Sequence, residues 1–247
     1  MRIRVLFLAA GLGALAGLTA GAQQPKPAIP ADVIPSTFRA FLVTDTRFPP
    51  IKEGEGKDVK QRPNLLNRAG KIHCLVCENG IAPVVAVFVR PEAKTFGSES
   101  GLARLAKGVN GLIPKYRSDK LASFVMFLNL DGGKKAIKIP GAEGGTETAL
   151  TVDQEYPDDE KRDAYTAQIR DFANAVNTPN VPYGLAANKS DAVSAWKIGE
   201  KDDITVILYN RMRIIGEPWR FAKHTDLTAE KVAEILKATE STITERK

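Results

Sequence analysis

The sequence predicts an α/β domain of three layers, with a central mixed sheet between helices. Three observations carry that prediction. Two continuous apolar runs, Val84–Val89 (VVAVFV) and Leu121–Leu130 (LASFVMFLNL), have the texture of strands, and the first suits a central strand covered on both faces. Between them, Leu102, Leu105, Val109 and Leu112 recur at the spacing of one helix face. Strand, helix and strand in this order make a right-handed unit with parallel strands. Further on, Ile204–Tyr209 (ITVILY) is followed by a turn at Asn210–Arg213 and a return from Ile214, an antiparallel pair that makes the sheet mixed.

Composition bounds the alternatives. A chain of 247 residues, 43% hydrophobic and 26% charged, fits one large domain with a core of native size. Its charge content excludes disordered and collagen-like classes. Two cysteines exclude a disulfide-dense scaffold. A metal site of four Cys and His ligands would consume every Cys and His in the chain.

The first 22 residues are expected to be a signal peptide. Arg2 and Arg4 precede an apolar run from Val5 to Leu18, and Ala20-Gly21-Ala22 supplies small residues before Gln23. Cleavage there lowers Lys+Arg from 35 to 33 against 29 Asp+Glu, a mature charge of +4. That charge carries no nucleic-acid signal. No later run is apolar enough to span a bilayer, so an extracytoplasmic protein, periplasmic or secreted, is expected. Residues 23–36 hold four prolines and read as a tether without a folded role. The domain proper is then 37–247.

The elements follow in order. Phe38–Asp45 alternates as a short strand, and 46–70 is a polar loop or small subdomain with Pro49-Pro50, Gly54, Gly56 and Pro63. Together, 37–70 make an N-terminal extension. Lys71–Cys77 (KIHCLVC) reads as a strand closed by the turn Asn79-Gly80. Helix Gly101–Lys115 follows the strand at 84, with Ser98 or Ser100 as N-cap. Residues 131–157 are rich in Gly and hold two strand-like pieces, 135–139 and 148–152, which predict a β-hairpin insertion. A helix over 158–177 opens on Asp158, Asp159 and Glu160, where the helix dipole favours negative charge, and buries Tyr165, Ile169, Phe172 and Val176. Residues 178–203 read as a polar connection. The final helix starts after Thr228, with Leu227 and Val232 placed as a hydrophobic staple. Trp196 and Trp219 are expected in the core.

This order of pieces, from Val84–Val89 through the helix at 101–115, Leu121–Leu130, the helix at 158–177, Ile204–Tyr209 and the terminal helix, resembles the thioredoxin-like superfamily, in particular its redoxin and peroxiredoxin-like exported branch. The resemblance implies a thioredoxin-like three-layer fold and thiol–disulfide chemistry with a protein thiol or disulfide as partner. The chain departs from the family at two places. The stretch after the first core strand, Arg90 to Phe96, holds no cysteine, and Asp202-Asp203 stand before Ile204 where the family carries a cis-proline.

The one Cys-x-x-Cys lies before that strand: Cys74-Leu75-Val76-Cys77, preceded by His73. Four readings stay open. A redox pair fits an oxidising compartment, with Cys74 as the nucleophile because His73 adjoins it and assists thiolate formation when protonated. No helix is expected to begin at Cys74, so help from a helix N-terminus is not expected. A structural disulfide in a non-catalytic binding module is the second reading, and two thiols without a bond the third. Residues three apart in a regular strand lie roughly 10 Å apart. A disulfide needs Cα atoms within about 7 Å, so a bond requires a turn at Leu75-Val76. A zinc site is the fourth reading and would have to add His73, His224 or carboxylates. Covalent haem is disfavoured because Glu78, not His, follows Cys77. Cys74, Cys77 and His73 are therefore the candidate catalytic residues, with no cofactor and no metal expected.

Overall fold

A computed structural model describes residues 32–34, 37–53, 60–130, 133–139, 148–154 and 159–245. The expected signal peptide lies outside the described residues, as does all of the expected tether except 32–34. Those three residues dock on the domain: Ile34 is buried, and Val33 bridges Arg213. An isoleucine next to a proline still gains by leaving water, which the tether reading overlooked.

The first strand, β1, is Arg39–Thr44, and a small separate ribbon follows, β2 (Ile51–Glu53) with β3 (Lys60–Arg62). Next come β4 (Ile72–Cys74), the one-turn helix α1 (Leu75–Asn79) and β5 (Val84–Val89). Helix α2 (Gly101–Lys115) leads to β6 (Ala122–Leu130). Ser100 is its N-cap, accepting the Ala103 N–H. The insertion is a hairpin of β7 (Gly133–Ile139) and β8 (Thr148–Gln154) in a continuous antiparallel register. Helix α3 (Asp159–Val176) follows, with Ile169, Phe172 and Val176 buried as the spacing predicts.

The segment expected to be a polar connection instead contains β9 (Tyr183–Ala187) and α4 (Asp191–Ala195). Tyr183, Leu185, Ala186 and Trp196 are buried there. The strand is short and contains Gly184, which hides its alternation. A Cβ there would press on the Met126 thioether and on Leu42, so these side chains would have to shift to admit a larger residue. The chain ends with β10 (Ile204–Asn210), β11 (Arg213–Ile214), β12 (Trp219–Phe221) and α5 (Ala229–Thr244), capped by Thr228.

The main sheet has eight strands in the order β11-β10-β5-β6-β9-β1-β4, with β12 also paired to β10. Strands β5, β6 and β9 are parallel; β10 and β1 run against them on either side. Both parallel crossovers, through α2 and α3, lie over one face, as repeated right-handed units require. On that face Val85, Val87 and Val89 pack with residues of α2, α3 and α5. On the other, Val84, Ala86 and Phe88 pack with Leu75, Val76, Val193 and Trp196, from α1, α4 and the residue after it. This two-sided cover explains why all six residues of β5 are buried. The architecture is the α/β one the sequence predicts, three layers with a central mixed sheet and a hairpin insertion. Among the described residues no helix is long and apolar enough to cross a membrane.

Candidate functional site

Strand β4 forms one edge of the sheet, paired only with β1, with Cys74 opposite Arg39. It stops at Cys74, which corrects the expectation of a strand reaching Cys77 without a helix at Cys74. Leu75 and Val76 are both buried. Successive residues of a strand point to opposite faces, whereas a helical turn can press both into the same core. Cys74 is the N-cap of α1, in extended conformation at φ −106° and ψ 97°, and its Sγ accepts the Cys77 N–H at 3.2 Å. Gly80 closes the turn with φ 53°, its N–H returning to the Val76 carbonyl, so the predicted Asn79-Gly80 turn is a helix C-cap.

That turn brings the two cysteines to a Cα separation of 5.3 Å, and they are joined by a disulfide. The bond is at the surface: Cys74 is half-buried and Cys77 exposed. His73, on β4, places Nε2 at 2.7 Å from the Glu78 carboxylate, one residue beyond Cys77. Glu78 also meets the Arg47 guanidinium at 2.9 Å. Arg47 is held by Asp45 at 2.7 Å and 3.0 Å, a two-point grip on a carboxylate with no exposed side-chain surface. Burial works against the Arg47 charge, but the bonds to Asp45 and the fields of Asp45 and Glu78 outweigh it and raise its pKa above the ordinary value. The Arg68 N–H donates to Asp45 as well, and the Asn67 amide donates to the carbonyls of Asp45 and Phe48.

His73, Cys74 and Cys77, the three residues singled out from the sequence, lie together where β4 passes into α1. The sequence did not single out Asp45, Arg47 or Glu78. Asp45 closes an apolar strand and then goes under, a weak signal for a buried carboxylate that must have a partner. His224 is elsewhere, with Nδ1 at 3.2 Å from Asp203 and its ring edge-on to Phe96. Among the described residues no group of three or more His, Cys, Asp or Glu side chains is gathered as a metal site.

The stretch Arg90 to Phe96, where the resemblance read from the sequence would place a cysteine, follows β5. There Arg90 spends its guanidinium on the carbonyls of Gly199 and Asn188, at 2.9 Å and 3.1 Å. The Arg90 N–H meets the Asp203 carbonyl, directly before β10, and no cis peptide bond occurs among the described residues. Cys74 ends β4 as Val89 ends β5, on strands running in the same sense. Strands β6, β9 and β1 intervene, roughly 19 Å at about 4.8 Å per strand.

No protein-family model matches the chain, and no curated protein matches it. Several solved structures show a likeness of chain trace. A cysteine-to-serine mutant of peroxiredoxin Q from Xanthomonas campestris aligns at TM-score 0.41 and 11% identity, over 70% of this chain and 87% of that one. A Chlorobium tepidum protein described as thiol:disulfide interchange protein DsbE aligns at TM-score 0.37 and 12% identity, over 83% and 99%. A Bacteroides thetaiotaomicron protein described as a protein disulfide isomerase aligns at TM-score 0.41 and 12% identity, over 86% and 89%.

Proposed function

We propose that the chain is an exported thiol–disulfide exchange protein acting through Cys74 and Cys77, with His73 beside them and a protein thiol or disulfide as partner. The observation that carries this is the placement of the bond. It closes a small ring at the surface, on the first turn of a helix whose N-cap is one of its own sulfurs. On reduction, the Cys77 N–H still donates to Cys74, and a hydrogen bond to the charged form favours the thiolate. Export rests on the charged, apolar and small-residue plan of residues 1–22.

The exchange balances as two thiol–disulfide steps. The Cys74 thiolate attacks one sulfur of the partner's disulfide and releases the other as a thiolate. Cys77, deprotonated, then attacks Cys74 Sγ, closes the Cys74–Cys77 bond and releases the partner's second thiolate. Two electrons pass to the partner, and the released thiolates take up the protons given by the cysteines. Run in reverse, the pair oxidises a dithiol.

One observation favours a non-catalytic binding or structural module instead: the stretch Arg90 to Phe96, at the superfamily's usual site, holds no cysteine. Redox titration of the mature protein, together with turnover of a model disulfide, separates the two. Exchange that is lost in Cys74→Ser, with a potential above about −300 mV, supports the proposal. A potential well below that value with no exchange overturns it.

A further inference from the structure

Three charged side chains beside the disulfide take no part in those two steps: Asp45, Arg47 and Glu78. They form a chain of contacts that ends one residue from Cys77. We propose that Arg47 and Glu78 are positioning residues that set the reduction potential of the Cys74–Cys77 pair by holding α1 against β4. The role serves the exchange function proposed above, but the potential belongs to the bond itself and is measurable without any partner.

Cys74 is placed by its register in the sheet opposite Arg39. Cys77 sits in a helix of five residues, too short to hold itself in water. Two things hold it. Leu75 and Val76 are sunk in the core on one side. On the other, Glu78 is gripped by Arg47 at 2.9 Å and by His73 at 2.7 Å. Arg47 is itself a fixed post, since both of its bonds to Asp45 run to a buried carboxylate at the end of β1. The post therefore ties the carboxyl end of β1 to the residue next to Cys77.

Holding the two Cα atoms at 5.3 Å keeps the thiols of the reduced form at a high effective concentration. Freeing α1 gives the dithiol conformational freedom that the disulfide cannot share. The equilibrium then moves toward the dithiol and the potential rises. Loss of one side-chain anchor is expected to cost threefold to tenfold in the oxidation constant, and tenfold corresponds to about 30 mV for this two-electron couple.

Electrostatics alone makes a different forecast, which gives the test its force. Glu78→Gln removes a negative charge beside the pair, favours thiolates and raises the potential. Arg47→Gln removes a positive charge and lowers it. A clamp raises it in both variants. The mature chain and the variants Glu78→Gln, Arg47→Gln, Arg47→Lys and the Glu78→Gln/Arg47→Gln double are equilibrated in glutathione buffers and quenched by alkylation, and the alkylated fraction is read by mass. The expected result is a threefold to tenfold fall in the oxidation constant for Glu78→Gln and for Arg47→Gln, with the double variant no worse than the larger single. Arg47→Lys keeps a cation on buried Asp45 but loses the fork, and falls in the same direction. Shifts of opposite sign in Glu78→Gln and Arg47→Gln overturn the clamp. So do unchanged potentials, with or without a loss of thermal stability. If the exchange function fails instead, the wild-type chain turns over no model disulfide while the variants still shift in potential.

Discussion

Replacing both Cys74 and Cys77 with serine is expected to cost only about 2 kcal/mol of folding stability. The bond closes a ring from residue 74 to residue 77. In the chain-entropy account, a ring of about four residues constrains the unfolded chain by roughly 6 cal/mol/K, near 2 kcal/mol at 25 °C, against about 4.7 for a 100-residue loop. Serine at 74 keeps an oxygen to accept the Cys77 N–H, so the N-cap survives the exchange. Leu75 and Val76 keep α1 on the core. For a domain of this size the loss corresponds to a Tm lower by roughly 4–8 °C. The assay is reversible thermal or urea unfolding, followed by circular dichroism, of the oxidised protein, the reduced protein and the double serine variant. The reduced and serine forms should coincide within about 1 kcal/mol, since both lack only the ring. A loss above about 4 kcal/mol, or a variant that does not fold, would refute this. It would show that the bond staples the edge of the sheet and would favour the structural reading of the pair.

Other expectations concern the scaffold. Trp196→Ala is expected to cost about 3–5 kcal/mol in urea unfolding, because the ring is buried among Phe38, Phe88 and Tyr209. Tyr209→Phe should be neutral or stabilising by about 1 kcal/mol in the same assay, since the hydroxyl is buried with no hydrogen-bond partner among the described residues. Gly101→Ala should lower stability by about 1–3 kcal/mol, because a Cβ at the first turn of α2 collides with the Leu227 carbonyl. Alkaline stability follows Tyr183, whose pKa burial pushes up to about 12 while the Thr178 hydrogen bond opposes the rise. A raised folded value means this contribution is fully present below pH 10 and is lost as pH climbs toward 12. A pH series of unfolding free energies, with tyrosinate absorbance as the probe, checks it.

The legible parts of the fold were those where one physical signal dominates. Val84–Val89 suits a strand buried on both faces, and α2 appears with the predicted limits because a stripe of leucine and valine and a serine cap agree. The hairpin at 133–154 was legible for the same reason, two β-rich pieces within glycine-rich sequence. β9 escaped because a five-residue strand containing Gly184 has neither length nor alternation, and its identity depends on the groove between β6 and β1 that receives it. The strand drawn through Lys71–Cys77 failed differently. KIHCLVC has strand propensity throughout, and the adjacent burial of Leu75 and Val76, a tertiary demand, turns its second half into helix.

The site shows where such reading stops. Composition and spacing identified the cysteine pair but placed it on a strand that could not bond it. A single helical turn removes that objection and supplies the N-cap that appeared to be missing. The local order of strand, cysteine and helix start is therefore present in this chain at β4 and α1. The strand that carries it is an edge strand, on the far side of β6, β9 and β1 from β5. Two consequences follow. An edge strand leaves one side of its backbone without a strand partner among the described residues. An edge also has less packing to fix it than a central strand. The buried Asp45 and its grip on Arg47 supply at this edge the rigidity that neighbouring strands supply at β5.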